Sequence, residues 1–339
     1  MPSTHSIYIL LAAMLLSFLV TFLLSFPVIA YLRAKKLGQQ IREEGPQRHL
    51  NKAGTPTMGG VVILVGLFAG TVGSWYFFPK QFWFSVLLLA LFVAMAAIGS
   101  IDDWGKIKRG RSLGLRAREK LILQFIVSSL FVAGLVLGLD NGTTIGIPFL
   151  RHDIQLGWWY WPLAILYLAG ISNAVNLTDG LDGLAAGTSM ASSFALAGVA
   201  WYLRAGQAMA QGEAVATFAA CLGAACFAFL WFNQHPAKVF MGDTGSLAIG
   251  AALAGTALIL KQEVLLLLIG FVFVIEISSV IIQVIVFKLT GKRVFRMSPF
   301  HHHLELSGWS EPKIVQSAWL LGILLAFGGF WVARLWGLH

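Results

Sequence analysis

A series of apolar runs of bilayer length limits what this chain can fold into more than any other feature. A helix crosses the hydrocarbon core with about 20 apolar residues. The sequence offers ten such runs, at 7–31, 58–78, 82–101, 120–139, 159–175, 184–203, 214–232, 245–260, 264–289 and 315–336. Of its residues 58% are hydrophobic and 12% charged, against roughly a quarter charged in a soluble domain. That much apolar surface cannot be hidden in one water-soluble core. The expectation is an all-α, polytopic integral membrane protein, a single domain over 1–339 with about ten transmembrane helices. The ninth run is over-long and predicts a tilted or bent span. The first run exceeds a signal-peptide core and is followed by Arg33, Lys35 and Lys36, so it reads as a retained helix. Segment 140–158 holds two strand-like stretches, TTIGIPF and DIQLGW, which predict a small hairpin.

The net charge of +9 sits in short loops between apolar runs, with no soluble domain to carry a groove, which argues against nucleic-acid binding. It fits the positive-inside rule and attraction to anionic lipid or phosphorylated substrate. With the N-terminus outside, the inner loops and helix ends hold 19 Lys and Arg; the outer ones hold five, Lys80, Arg151, Arg204, Lys261 and Arg334. That split predicts both termini on the outer, periplasmic side of the cytoplasmic membrane. Cys221 and Cys226 lie in one apolar run and read as small buried hydrophobes.

The inner loops hold nearly all the Asp, His, Asn and Gly clusters, as expected if one site is assembled on that face. GPQRHLNKAGTPTMGG (45–60) supplies turns and the cations His49 and Lys52, with Thr57 as a candidate N-cap of the second helix. IDDWGK places Asp102 and Asp103 at the inner end of the third helix, where the dipole is unfavourable to anions and a compensating charge is required. Mg²⁺ bound to phosphate oxygens would supply it, and so would Lys106 and Lys108. NAVNLTDGLDG contributes Asn173, Asn176, Asp179, Gly180, Leu181 and Asp182; the i, i+3 spacing predicts both acids on one helical face. NQHPAKVFMGDTGS brings Asn233, Phe240 and Asp243 to the start of the eighth helix, a place suited to capping or to phosphate and metal. RMSPFHHHLELSGW holds His301, His302 and His303; consecutive imidazoles fan apart, which argues against zinc and suits hydrogen bonding to phosphate or sugar. Glu276 lies inside the ninth run, with Gln283 two turns on, and an ionisable group at that depth marks either function or a buried partner. Together these parts fit phosphoryl chemistry: carboxylates to hold a metal or accept a proton, and cations to hold a diphosphate.

The same segments carry a resemblance. GPxxHxxKxGTPTMGG, DDWGK, NLTDGLDGL, PAKVFMGDTGS and RMSPFHHHLELSGW, in this order, resemble the phospho-N-acetylmuramoyl-pentapeptide transferase family of the polyprenyl-phosphate N-acetylhexosamine-1-phosphate transferase superfamily, over essentially the whole chain. The resemblance implies transfer of phospho-MurNAc-pentapeptide from UDP-MurNAc-pentapeptide to undecaprenyl phosphate, giving lipid I and UMP in peptidoglycan biosynthesis, with Mg²⁺ as cofactor. It implies an inner-membrane homodimer with a cytoplasmic active site and a bent ninth helix beside a lipid groove. By the same token Asp243 is the metal ligand, and Asp102 and Asp103 are the catalytic pair, Asp102 being the base toward the lipid phosphate. Lys52, Thr57, Asn173, Asn176, Asp179, Gly180, Leu181, Asp182, Asn233 and Phe240 line the nucleotide pocket, with Phe240 against the uracil. Lys106 and Lys120 lie near the phosphates, and His301, His302 and His303 face the donor. One departure stands at Leu113, where the family usually has lysine. A sister enzyme using UDP-GlcNAc is the closest alternative, and the His triplet and GTPTMGG argue against it. A transporter would place polar groups at the membrane midplane in repeated halves; only Glu276 favours that reading.

Overall fold

The computed structural model describes residues 4–35, 52, 54–77, 82–109, 114–148, 153–203 and 209–336. His49, Lys80, Arg111, Leu113, Arg151 and Arg204 lie outside them. Among the described residues helical segments follow all ten apolar runs: α1 (Thr4–Ala34), α2 (Gly60–Trp75), α3 (Phe82–Arg109), α4 (Ala117–Ala133, continuing as a π turn over Gly134–Gly138), α5 (Tyr160–Thr178), α6 (Leu184–Leu203), α7 (Met209–Asn233), α8 (Gly242–Leu260), the pair α9 (Glu263–Ile269) and α10 (Phe271–Thr290), and, after the short α11 (Phe300–Leu306), α12 (Glu311–Trp336). Among the described residues eight helices are long and apolar enough to cross a membrane. The expected hairpin is present as β1 (Thr144–Ile145) and β2 (Ile154–Gln155), antiparallel, with Thr144 opposite Gln155 and Ile145 opposite Ile154.

The ninth run is broken rather than tilted. Gly270 ends α9 and caps α10 at φ −97°, ψ 27°, outside the helical basin, so the chain changes direction there. Beyond the break α10 turns Ile281, Ile282, Val284, Ile285 and Phe287 outward, the surface of a helix solvated by lipid.

At the centre is α8, whose residues Thr244–Ile259 are all buried, ringed by α2, α3, α5, α6 and α7. With no hydrophobic drive between helices in lipid, packing depends on close backbone approach and hydrogen bonds. The composition of α8, rich in Gly, Ala, Ser and Thr, permits that approach: Gly245 meets the backbone of Gly60 in α2, and Gly250 meets Ser172 in α5. The Ser172 hydroxyl donates to the Leu247 carbonyl at 2.8 Å. On α1 the buried stripe carries Ser17, Thr21 and Ser25; Ser17 donates to the Cys221 carbonyl of α7 at 2.8 Å. Cys221 and Cys226 are free and buried, as expected.

Three local expectations are corrected. Thr57 does not cap α2; Gly59 is its N-cap and makes no side-chain cap bond. The third helix continues past 101 to Arg109, so Asp102 and Asp103 lie two turns inside it. Helix α5 ends at Thr178, so Asp179 is its C-cap and Asp182 lies in the following turn; the two acids share no helical face.

Candidate active site

At one end of the bundle, carboxylates from α3 and α8 meet lysines from α3 and α4. Entry into α8 creates the geometry. Gly242 takes φ +74°, and a Cβ there would run into the Asp103 carboxylate and lie 3.0 Å from Thr57 Oγ1, so only glycine permits this turn. The turn aims the first amides of α8 at Asp103: the N–H groups of Asp243 and Thr244 donate at 3.1 and 3.0 Å, and the Thr244 hydroxyl donates at 2.8 Å. Helix N-terminal amides lack intrahelical partners, and here a carboxylate supplies them. Asp103 therefore clamps α3 to α8.

Asp243, in the first turn of α8, faces two ammonium groups: Lys120 at 2.6 Å and Lys106 at 3.0 Å, both on Oδ2. Its Oδ1 accepts from the Asn176 amide at 2.9 Å, and Asn176 also donates to Ser246 at 2.8 Å and accepts from Lys120 at 3.2 Å. Asp102 pairs with Lys106 at 2.6 Å and accepts the Leu115 N–H at 2.8 Å. Carboxylate oxygens of Asp102, Asp103 and Asp243 lie within 4.8 Å of one another. Three aspartates face two lysines, so one negative charge stays uncompensated. Asp179 lies within their field: although the Gly242 amide binds it, loss of hydration, then the Asp243 and Asp103 charges, push its carboxyl well above the usual carboxylate range, toward the neutral form. Hard oxygen donors with excess negative charge fit a divalent cation.

A second group sits where three loops meet the start of α12. Lys52 reaches Asp182 at 2.7 Å and Glu311 at 2.5 Å. Asp182 Oδ2 accepts the Ala237 N–H at 3.0 Å and faces His235 Nδ1 at 3.3 Å. Asn233 accepts from the Gly183 N–H at 3.2 Å and donates to the Val239 carbonyl at 2.9 Å. The loop between α7 and α8 runs from this group to the first, and it is stitched to the segment before α2: Phe240 N–H donates to the Pro56 carbonyl at 2.8 Å, and the Phe240 carbonyl accepts from Gly59 at 2.9 Å.

The remaining candidates take separate places. Asn173, one turn below Asn176, bonds Gln124 of α4 at 2.7 Å. Leu181 is buried against Leu184, Ile314 and Val315. The histidines fan apart as their adjacency requires: His301 faces Glu276 at 3.1 Å, His302 faces Glu305 at 2.7 Å, and His303 accepts the Arg296 N–H at 3.2 Å and stacks on Phe300. His301 is buried, and a side chain at position 180 would strike its ring, so Gly180 lies flat against it. Glu276 thus has a buried partner, which removes the feature that favoured a transporter. Gln283 accepts the Val294 and Phe295 N–H groups at 3.1 and 2.9 Å, tying the α10–α11 connection back onto α10. Sequence reasoning missed His235 and Glu311. His235 stood inside a cluster already singled out; Glu311, before Pro312, reads as an ordinary acidic helix start.

Comparison with known proteins gives this architecture its class. Residues 83–261, which span α3 to the end of α8, match the family model for glycosyl transferase family 4. Residues 52–64, from Lys52 into α2, match phospho-N-acetylmuramoyl-pentapeptide-transferase signature 1. The phospho-N-acetylmuramoyl-pentapeptide-transferase of Halalkalibacterium halodurans is 50% identical over 319 residues, covering 94% of this chain and 95% of that protein. Those of Geobacillus thermodenitrificans and Bacillus subtilis are 48% and 47% identical, each over 96% of this chain and 98% of theirs. The chain belongs to the phospho-N-acetylmuramoyl-pentapeptide-transferase family.

Proposed function

We propose that this membrane enzyme transfers phospho-MurNAc-pentapeptide from UDP-MurNAc-pentapeptide to undecaprenyl phosphate, releasing UMP and forming lipid I for peptidoglycan. The observation that carries the reading is the meeting of Asp102, Asp103 and Asp243 with Lys106 and Lys120 at one end of the bundle, inside a chain of this family.

Each group then has a task. Lys106 and Lys120 hold the donor diphosphate and stabilise charge on the leaving UMP. Asp102 takes the proton of the lipid phosphate. An oxygen of that phosphate forms a bond to the sugar-bearing β-phosphorus as the bond from β-phosphorus to the bridging oxygen breaks, and UMP leaves with the bridging oxygen. Asp103, held by the α8 amides, fixes α3 against α8 so that Asp102 and Asp243 keep their separation. Asp243, with Asp102 and Asp103 beside it, would hold Mg²⁺, which when bound neutralises diphosphate charge. Lys52, Asp182, Asn233 and Phe240 line the nucleotide end, with Phe240 against the uracil, and the histidine segment serves the donor's sugar and peptide side.

The same reading puts the site at the cytoplasmic face of the inner membrane, with both termini periplasmic. The split of 19 inner to five outer Lys and Arg supports it, as does the fact that nucleotide-activated sugars are made in the cytoplasm. Two copies associate as a homodimer, read out by cross-linking in native membranes. The deciding experiment is label transfer from UDP-MurNAc-pentapeptide to undecaprenyl phosphate by the purified chain, with and without Mg²⁺, with UDP-GlcNAc as the competing donor. Transfer from UDP-GlcNAc alone overturns the donor assignment, and UMP release without lipid overturns direct attack.

A further inference from the structure

Glu311 opens α12, a helix with no part in the chemistry above. Its Oε1 lies 2.5 Å from Lys52 Nζ and accepts the Asp182 N–H at 2.8 Å, while Oε2 lies 3.6 Å from His235 Nδ1. One side chain, 12% exposed, joins three segments distant in sequence: the stretch before α2, the turn between α5 and α6, and the loop between α7 and α8. Each of these segments carries a residue assigned above to the nucleotide end, namely Lys52, Asp182 and Phe240.

Charge balance indicates what the contact is for. Asp182 at 2.7 Å already neutralises Lys52. A second carboxylate leaves the group with an excess negative charge in a poorly hydrated place, where like charges repel. Net ion-pair stability does not explain it. The N-terminal turn of α12 offsets part of the cost through the helix dipole, and the Asp182 amide offsets more. What the fold obtains is geometry: a long, flexible lysine is forked between two carboxylates into one orientation, and the oxygen that holds it also fixes the backbone of the Asp182 turn. Orienting a binding group through a partner that does not itself touch the ligand is a general requirement of precise sites.

We infer that Glu311 is a positioning residue for the nucleotide-sugar donor, setting Lys52 and the Asp182 turn where the nucleotide docks. The inference rests on the proposed function, and on Lys52 and Asp182 serving the donor rather than the lipid. Its test uses the full chain in detergent, comparing wild type with Glu311→Ala and Glu311→Gln, with both substrates varied. Glu311→Ala is expected to raise the donor KM about tenfold, with kcat changed by less than about threefold and the undecaprenyl phosphate KM unmoved. Glu311→Gln, which keeps an oxygen for the Asp182 amide but loses the charge on Lys52, falls between. A donor KM within about twofold of wild type in both variants overturns the inference. So does a parallel change in kcat and both KM values, which is how a merely structural residue behaves. If Glu311→Ala does not survive purification, Glu311→Gln carries the same comparison. Failure of the wild type to transfer from UDP-MurNAc-pentapeptide defeats the proposed function instead. UDP binding measured calorimetrically then tests the inference alone: unchanged affinity in the variants overturns it, and weakened affinity upholds it.

Discussion

The two carboxylate–lysine groups at this end of the bundle use the same side chains toward different ends. Around Lys52, the acids are saturated: Asp182 takes a lysine and a backbone amide, and Glu311 takes the same lysine and the amide of Asp182. Around Asp243, three aspartates share two lysines, and Asp179 crowds in with its carboxyl displaced well upward. The first arrangement fastens loops to one another. The second gathers more carboxylates than lysines around one place, a setting that favours a divalent cation. Charge count does not distinguish scaffold from site, since each group has one carboxylate more than it has lysines; what differs is that Asp182 and Glu311 are tied to the backbone of the loops they join, whereas Asp243 is met by the side chains of Lys106, Lys120 and Asn176.

The largest expected effect falls at Asp243. Asp243→Asn keeps the size and the hydrogen bond to Asn176 but removes the anion that faces both lysines. Transfer is expected to fall about a thousandfold, the upper end for removing one preorganised electrostatic group, while the protein still inserts and purifies. Wild-type-like turnover would erase the distinction between the two groups. Asp102→Asn is expected to fall by a comparable factor. Lys120→Met, which leaves Lys106 alone on the diphosphate, is expected to lose about a hundredfold. That loss should appear in kcat, because the charge on UMP develops only in the transition state. A change confined to KM would assign Lys120 to ground-state binding.

Gly180→Ala probes the boundary between the groups. The new methyl would strike the His301 ring, which is held from behind by Glu276. Something must shift, at a cost of about 1–3 kcal/mol for overpacking. The thermal midpoint in detergent is expected to drop, and activity to fall about tenfold because the turn carries Asp179. Unchanged values in both measurements would mean that the histidine segment moves independently of the turn.

These contrasts were unevenly legible in the sequence. The helices over the ten apolar runs, the hairpin between Thr144 and Gln155 and the gathering of polar clusters at the helix ends follow from hydropathy and turn chemistry, which are local properties. The Asp102–Asp103 pair was visible as a charge anomaly with Lys106 as a candidate partner, which it is, one turn away, although the helix runs on to Arg109. Asp179 and Asp182 were misplaced because their shared face presumes a helix, and α5 ends at Thr178, before either of them. Glu311 was invisible for a different reason. Its partners are brought to it by the packing of α12 on α6, where Trp319 donates to the Gly183 carbonyl at 3.0 Å, and no local pattern encodes that contact.

The smallest expected effect on turnover, though not on stability, is also the sharpest test of the Lys52 group. Lys52→Met leaves Asp182 and Glu311 facing each other without a cation, and a broken buried pair typically costs about 3–5 kcal/mol. Adding Glu311→Gln removes the stranded charge. If the group is a fastening, the double variant should recover most of the lost thermal midpoint, with a coupling of about 0.5–3 kcal/mol between the two sites. The donor KM should stay raised, since Lys52 is still missing. If both the midpoint and the KM recover, Lys52 serves only to neutralise its neighbours and has no part in holding the nucleotide. If neither recovers, the two carboxylates do not act on each other through Lys52. The same construction on Asp243 and Lys120 should restore nothing, because there the charge exists for the reaction rather than for the fold.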